Sequence, residues 1–270
     1  MPRPRPRAKG PAHFVERIAE RDRRENLGLE YKWDDYRALS TERTVIENRC
    51  LYVINNFFWF GHGKPLVDAF AEVPRGKDQP FRLLDDGAGE GVFAAEMGAE
   101  LAKAGIKCHT TALTLHENQA LSARHHRGEV SEVVVGPAER FVPKRSFHAI
   151  VSMIGSTSYT LSPVRKDHLL KFAYSLVPGG LLLAGFEVAT EAAKALTPGN
   201  IPFGFSRRPK RDRKMPLETE MRGIERAFDK RGFDARFVEY PKIARQIDRV
   251  PRWMLIVRRR LPGNRPTPRG

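Results

Sequence analysis

Phe81-Arg82-Leu83-Leu84-Asp85-Asp86-Gly87-Ala88-Gly89-Glu90-Gly91 is the stretch on which the reading of the chain turns. Apolar Phe81, Leu83 and Leu84 run into an acid and then into Gly87-x-Gly89-x-Gly91, after which Val92, Phe93, Met97 and Leu101 recur at helical spacing. The pattern predicts a buried strand, a tight turn and a helix start. Glycines tolerate positive φ and, lacking Cβ, let a ligand come close to the backbone. Amide N–H groups at a helix start attract a negatively charged or electron-rich group. A glycine turn without any ligand satisfies the same pattern, because a lone glycine motif is weak evidence.

Outward from this stretch the chain alternates between two periodicities. Strands are predicted at 81–85, 108–113, 132–136, 147–153 and 180–187, and helices at 91–104, 117–127 and 164–176. Such alternation argues for parallel βαβ units with helices on both faces of the sheet. Open α/β sheets bind ligands beyond the carboxyl ends of their strands. Asp85–Gly91, Leu113–Glu117, Gly136–Glu139 and Ser152–Ser156 are therefore expected to converge at one rim. A helix at 217–231, a turn at Gly232 and two strands, 233–240 and 252–259, complete the reading.

The flanks read differently. Residues 1–12 are a Pro/Arg arm that cannot build a core and are expected to be disordered, as is the Pro/Arg/Gly tail 261–270. Residues 13–77 read as a helical extension. Ile46, Cys50, Val53, Ile54, Phe57 and Phe58 mark a helix across 41–60 that packs on the main domain, closed by Gly61-His62-Gly63-Lys64-Pro65. The main domain spans 78–260, with 191–216 as a basic loop or lid.

The net charge of +15 is unevenly placed. Residues 81–190 carry 11 Lys+Arg against 11 Asp+Glu, whereas residues 191–270 carry 21 against 9, a net +12. The block Arg207-Arg208-Pro209-Lys210-Arg211-Asp212-Arg213-Lys214 sits in that excess, and clustered charge of this kind attracts polyanions. Arg207, Arg208, Lys210 and Arg211 are the candidate nucleic-acid contacts; an arginine-rich composition without a polyanionic partner is the alternative. Two cysteines, Cys50 and Cys108, are too few for a disulfide framework and suit the cytosol. No apolar run approaches the roughly 20 residues of a membrane helix, and no His/Cys cluster has metal spacing.

Several stretches together resemble the class I (Rossmann-like) S-adenosylmethionine-dependent methyltransferases. Leu83-Leu84-Asp85-Asp86-Gly87-Ala88-Gly89-Glu90-Gly91 is similar to that family's first motif, and Phe147-His148-Ala149-Ile150-Val151-Ser152 to its fourth strand. Leu176-Val177-Pro178-Gly179-Gly180-Leu181-Leu182-Leu183 resembles its turn into strand five, and Gly232-Phe233 the entry to its closing hairpin. The resemblance implies a doubly wound, mostly parallel seven-stranded α/β sheet and S-adenosylmethionine as cofactor. A dinucleotide dehydrogenase fits less well, because Val92 stands where Gly-x-Gly-x-x-Gly needs glycine.

By this resemblance Asp85, Gly87, Gly89 and Gly91 hold the amino-acid end of the cofactor. The ribose-gripping acid of the family falls at Thr114, with Glu117 either a substitute or a solvent-facing helix residue. The adenine-contacting aspartate falls at Pro137, leaving the Ala138 N–H and the Glu139 carboxylate. Ser152 ends strand four at the cofactor and, with Ser156–Tyr159, lies where the acceptor sits; His62 is a candidate base from the extension. No catalytic residue is named, since methyl transfer from a sulfonium rests mainly on alignment. The motif of amino-directed DNA methyltransferases is absent after strand four, and neither cysteine stands where a C5-pyrimidine nucleophile does. An RNA acceptor is expected from the basic blocks; a small metabolite under a helical lid, or a non-catalytic RNA-binding factor, are the alternatives.

Overall fold

The computed structural model describes residues 14–18, 20, 51, 54–55, 58–59, 63–125, 129–152, 162–186, 217–239 and 253–263. Seven strands form one sheet: β1 (Phe81–Asp86), β2 (Cys108–Thr114), β3 (Glu132–Val135), β4 (Phe147–Ser152), β5 (Leu176–Phe186), β6 (Phe233–Glu239) and β7 (Trp253–Arg259). Their order is β3-β2-β1-β4-β5-β7-β6. The first five are parallel, and β7 enters antiparallel between β5 and β6. Helices α1 (Leu66–Ala71), α2 (Val92–Lys103), α3 (Glu117–His125), α4 (Ser162–Tyr174) and α5 (Leu217–Asp229) accompany them among the described residues. The expected doubly wound sheet with its antiparallel closing hairpin is the one observed.

Alternation along β1 sorts the core into two layers. Phe81 and Leu83 pack with Met97, Leu101, Ala149, Val151 and Leu183 on one face. Leu84 packs with Leu113, Ile150, Leu182, Phe172 and Phe228 on the other. Both faces are covered, so the central strands read as nearly continuous apolar runs. The chain before β1 reaches both layers. Ile54 and Phe58, four residues apart in helical backbone, are buried in the first layer with Leu66 and Phe70. Phe14 lies against the second, its ring 5.1 Å from that of Tyr174. The helix expected at 41–60 therefore packs on the main domain where it is described. A short helix, α1, follows Pro65; the Asn55 side chain accepts its first N–H, from Leu66, at 2.8 Å.

β5 departs from expectation. It was expected from residue 180 and begins at Leu176, with Pro178, Gly179 and Gly180 inside it. Phe147 pairs with Leu176 and then Ala149 with Leu181, so the extra residues of β5 form a bulge opposite His148. The Pro-Gly-Gly signal of a turn is the bulge itself. A Cβ on Gly180 would lie 2.9 Å from the Val177 carbonyl oxygen and 3.0 Å from that of His148.

His148 fills the gap that this bulge opens. Its Nδ1 accepts the Arg82 N–H at 2.9 Å, and its ring stacks on Phe81 at 5.2 Å. Burial, reinforced by the Arg82 and Arg75 charges, lowers its pKa from 6.5 to about 4. Between those values the unfolded chain binds a proton that the folded chain refuses. Stability conferred by neutral His148 is thus complete above pH 6.5 and is lost as pH falls toward 4, on the order of 3 kcal/mol in all. His148→Asn retains an acceptor without a titrating ring. Urea unfolding across that pH range is expected to show a shallower acid loss in the variant than in the wild type; parallel curves would refute this role.

Candidate functional site

The rim at the carboxyl ends of β1, β2, β3 and β4 gathers the residues singled out in the sequence. β1 and β4 are neighbours whose crossovers run in opposite directions, the place where an open parallel sheet leaves a crevice. Main-chain bonds lock the loops that surround it. Gly87 and Ala88 both donate their N–H to the Leu113 carbonyl, at 3.1 and 2.9 Å, and Gly136 donates to the Thr114 carbonyl at 2.8 Å. Gly87, Gly89 and Gly91 have φ of 74, 55 and 80°, the left-handed region where a side chain is strained.

The three glycines do different work. Gly91 is the residue before α2, and its N–H bonds the Ala88 carbonyl at 2.8 Å. A Cβ there would stand 3.0 Å from the Ala123 Cβ and 3.3 Å from its Cα. Its bare backbone thus lets α2 start against α3, a helix-packing role that the ligand-approach reading of the motif did not separate. Gly87 and Gly89 form the turn itself.

Asp85 and Asp86 occupy successive positions of β1 and so face opposite sides of the sheet. Asp86 is buried and accepts a 2.5 Å hydrogen bond from the Ser152 hydroxyl, tying the ends of β1 and β4 together. Asp85 is only 6 % exposed, and its Oδ2 has no hydrogen-bond partner. Burial first, then the neighbouring Asp86 charge, push its pKa from 3.8 up to about 8, while the Ala94 N–H of α2 pulls it down. Gly91 brings no side chain to cap α2, and of the first amides of that helix it is Ala94 N–H that Asp85 accepts. A buried carboxyl with an open oxygen at a helix start is a seat for a group carrying both a positive and a negative charge.

Thr114, the last residue of β2, is buried, its hydroxyl 3.5 Å from the His116 carbonyl. The turn that follows is held by a residue the sequence reading passed over. Gln119 reaches back from the third position of α3, and its Oε1 accepts the N–H groups of Leu115 and His116 at 3.1 and 3.3 Å. This is the reciprocal half of a capping box, and a glutamine three residues after the N-cap position, His116, was its signal. Glu117 lies in the first turn of α3 and meets the exposed Arg124 at 3.2 Å, on the solvent side. After β3, Ala138 and Glu139 are buried in a turn closed by Arg140 N–H to Pro137 O and Phe141 N–H to Ala138 O. Asp86, Gln119 and Lys171, which bonds this turn, are the contributors missed in the sequence.

Asp85, Gly87, Gly89, Thr114 and Ser152 thus lie at one rim, with Ala138 and Glu139 beyond β3 beside them. His62, Ser156–Tyr159, the 191–216 loop and the basic set Arg207, Arg208, Lys210 and Arg211 lie outside the described residues. Among the described residues, no cluster of His, Cys, Asp and Glu is placed to hold a metal ion. No helix there is long and apolar enough to cross a membrane.

No protein-family model matches the chain, and no curated protein matches it in sequence. Solved structures do match it in shape. The plantazolicin methyltransferase BamL, in complex with a triazolic desmethylPZN analog and SAH, overlaps 92 % of this chain and 97 % of its own, with a TM-score of 0.53 at 8 % identity. The CurJ carbon methyltransferase overlaps 71 % of this chain and 51 % of its own, with a TM-score of 0.51 at 14 % identity. SAM-bound CalS10, an amino pentose methyltransferase from Micromonospora echinaspora, covers 76 % of this chain and 96 % of its own at a TM-score of 0.45 and 16 % identity. Strand order, the antiparallel β7 and the overlaps with BamL and CurJ agree: the chain has the class I, Rossmann-like fold of the S-adenosylmethionine-dependent methyltransferases.

Proposed function

We propose that the protein is an S-adenosylmethionine-dependent methyltransferase, with the cofactor bound across the ends of β1, β2 and β3. The observation that carries this reading is Asp85, a buried carboxyl with an open Oδ2 at the start of α2. The amino-acid end of the cofactor has an ammonium for that oxygen and a carboxylate for main-chain N–H groups. Gly87 and Gly89 form the turn along which it lies, Thr114 is nearest the ribose, and Ala138 and Glu139 are nearest the adenine. The cofactor supplies an activated methyl group. The chain's part is to hold the acceptor in line with it and to exclude water, which suffices for a large rate gain. Ser152, fixed by Asp86, stands on the acceptor side of that arrangement.

For the acceptor we propose RNA. The support is charge: net +12 lies in residues 191–270 while residues 81–190 are neutral, so a polyanion would meet the C-terminal third without disturbing the cofactor. A second reading, a small or peptidic metabolite, is favoured by the overlap with BamL, a plantazolicin methyltransferase, along nearly its whole length. A cytoplasmic location belongs to the same proposal, since the two cysteines make no disulfide framework and burial pushes the Cys108 thiol up to about 12, leaving it inert.

Calorimetry with S-adenosylhomocysteine tests the cofactor. Gly89→Val, at φ 55°, is expected to abolish binding while the fold survives, with roughly 1–3 kcal/mol of stability lost to strain. Asp85→Ala is expected to weaken binding by about 1–3 kcal/mol. Unchanged affinity in both variants would remove the site.

Protonation offers a sharper check. A carboxyl whose pKa stands near 8 is protonated at neutral pH and must ionise to meet an ammonium, so binding should release close to one proton. The binding heat is then expected to vary with the ionisation enthalpy of the buffer at neutral pH, and to lose that dependence well above pH 8 or in Asp85→Asn. Buffer-independent heats at neutral pH would show that Asp85 does not meet the ammonium.

The acceptor is decided by filter binding of a random RNA pool, followed by transfer of labelled methyl to RNA and metabolite fractions. Each phosphate contact should contribute a log–log salt slope of roughly −0.7 for single strands. Replacing Arg207, Arg208, Lys210 and Arg211 by Ala should flatten the slope without changing cofactor affinity. Failure to retain RNA at low salt would leave the metabolite reading.

A further inference from the structure

The middle of the chain, residues 81–190, is neutral in total, with 11 Lys+Arg against 11 Asp+Glu, yet around β1 and its neighbours the fold sorts the two signs to opposite ends of the sheet. In parallel strands every turn that leaves a strand lies at one end and every turn that enters one lies at the other. The turns leaving β1 and β2, residues 85–91 and 114–118, carry Asp85, Asp86, Glu90 and Glu117 and no Lys or Arg. The turns entering β1, β2 and β4, residues 73–80, 104–107 and 142–146, carry Arg75, Lys77, Lys107, Lys144 and Arg145 against one acid, Asp78. These strands are neighbours in the order β2-β1-β4, and the Phe81 N–H donates to the Lys107 carbonyl at 2.8 Å, so the cations share one end of the sheet.

Helix dipoles account for only part of this. Lys103 complements the last turn of α2 and pairs with Glu100 at 2.6 Å. Arg75 reaches back to the end of α1, its Nη1 donating to the Ala71 carbonyl at 3.3 Å, and Arg145 lies 3.9 Å from Glu132. Lys77, Lys107 and Lys144 are exposed, stand outside any helix and form no ion pair among the described residues. Beside them Arg82 enters β1 half-buried, its Nε buried and lacking a hydrogen-bond partner. Its charge and that of Arg75 both bear on His148, which brings two guanidinium groups to the bulge of β5. A half-buried cation without a counterion favours an anion that reaches it. Farther along the same end the arginines of β7 are spent, Arg259 on the Tyr174 and Leu176 carbonyls and Arg260 on Asp229 and Asp234.

We infer that this basic end of the sheet, centred on Arg82 and bounded by Lys77, Lys107 and Lys144, is a docking face for the sugar–phosphate backbone of single-stranded RNA. The inference rests on the RNA reading given above and adds a surface to it. Exposed, separated cations suit a succession of phosphates, and such contacts position an RNA without reading its sequence. The opposite end, with four acids and no cation in the turns leaving β1 and β2, repels a phosphate backbone and leaves the acceptor group itself to approach the cofactor. β1 has six residues at about 3.3 Å each, so the two ends stand about 20 Å apart. The docking face therefore anchors the RNA without forming part of the cofactor site.

The test is filter binding of a random single-stranded RNA pool to the full chain across a salt series, with calorimetry of S-adenosylhomocysteine alongside. The triple variant Lys77→Ala, Lys107→Ala, Lys144→Ala is expected to fold, since all three side chains are exposed. It should lower the log–log salt slope by about 2, at roughly 0.7 per lost contact, and leave cofactor affinity at the wild-type value. A wild-type slope in a variant that still binds RNA would overturn the inference and leave the RNA reading to the 207–214 block. A wild type that retains no RNA at low salt would overturn both. Equal retention of a DNA duplex of the same length would overturn the choice of single-stranded RNA. If the triple variant does not fold, amide NMR shifts of the wild type decide: bound RNA is expected to shift residues 75–77, 107 and 144–145, and unmoved signals there with RNA bound would overturn the inference.

Discussion

Burial of a carboxyl group at the end of a parallel strand is the constraint around which the rim is built. Asp85 is carried there by β1, near the centre of the sheet, where its side chain is almost wholly buried. Desolvation raises its pKa, and the Asp86 charge next in the chain raises it further. A group so placed favours the neutral form until a cation arrives. Alternation turns Asp86, one residue on, to the other face, where Ser152 donates to it. The two adjacent acids thus do different work: Asp86 joins β1 to β4 through the Ser152 hydroxyl, while Asp85 meets the Ala94 N–H of α2 and keeps Oδ2 open.

Three other buried polar side chains among the described residues serve main-chain groups in the same way. His148 accepts a main-chain N–H at the bulge of β5, and Gln119 accepts two at the start of α3. Lys171 donates to two main-chain carbonyls after β3. Each stands where strands or helices leave backbone groups without their usual partners, and each satisfies them with a side chain. Apolar contacts fill the remainder. Segments before β1 join both layers, Ile54 and Phe58 on one face and Phe14 on the other, so the extension contributes to the core on two sides of the sheet.

Much of this was legible from periodicity and glycines. The order of strands and helices, the antiparallel hairpin and the place of Asp85 at a strand end follow from apolar runs of the right length and their punctuation. The start of β5 was misread because Pro178-Gly179-Gly180 has the composition of a turn, and a bulge uses the same residues for the same steric reason. Gly91 was grouped with its neighbours because a motif does not say which way a missing Cβ faces; Ala123, in a helix packed beside it, is what requires that glycine. Gln119 and Lys171 are polar residues in helices that read as solvent-facing until their partners, main-chain atoms, come into view.

By itself, then, the sequence determined the class of fold and the location of its rim, because alternation, helical spacing and positive-φ glycines are local properties written residue by residue. Only the tertiary structure decided which acid joins β4 and which faces α2, which glycine packs helices, and which buried cation holds a distant turn. Those depend on contacts between residues 66 apart, as for Asp86 and Ser152, or 33 apart, as for Ala138 and Lys171. Burial and hydrogen-bond partners are properties of the assembled layers, and no window of sequence contains both members of such a pair.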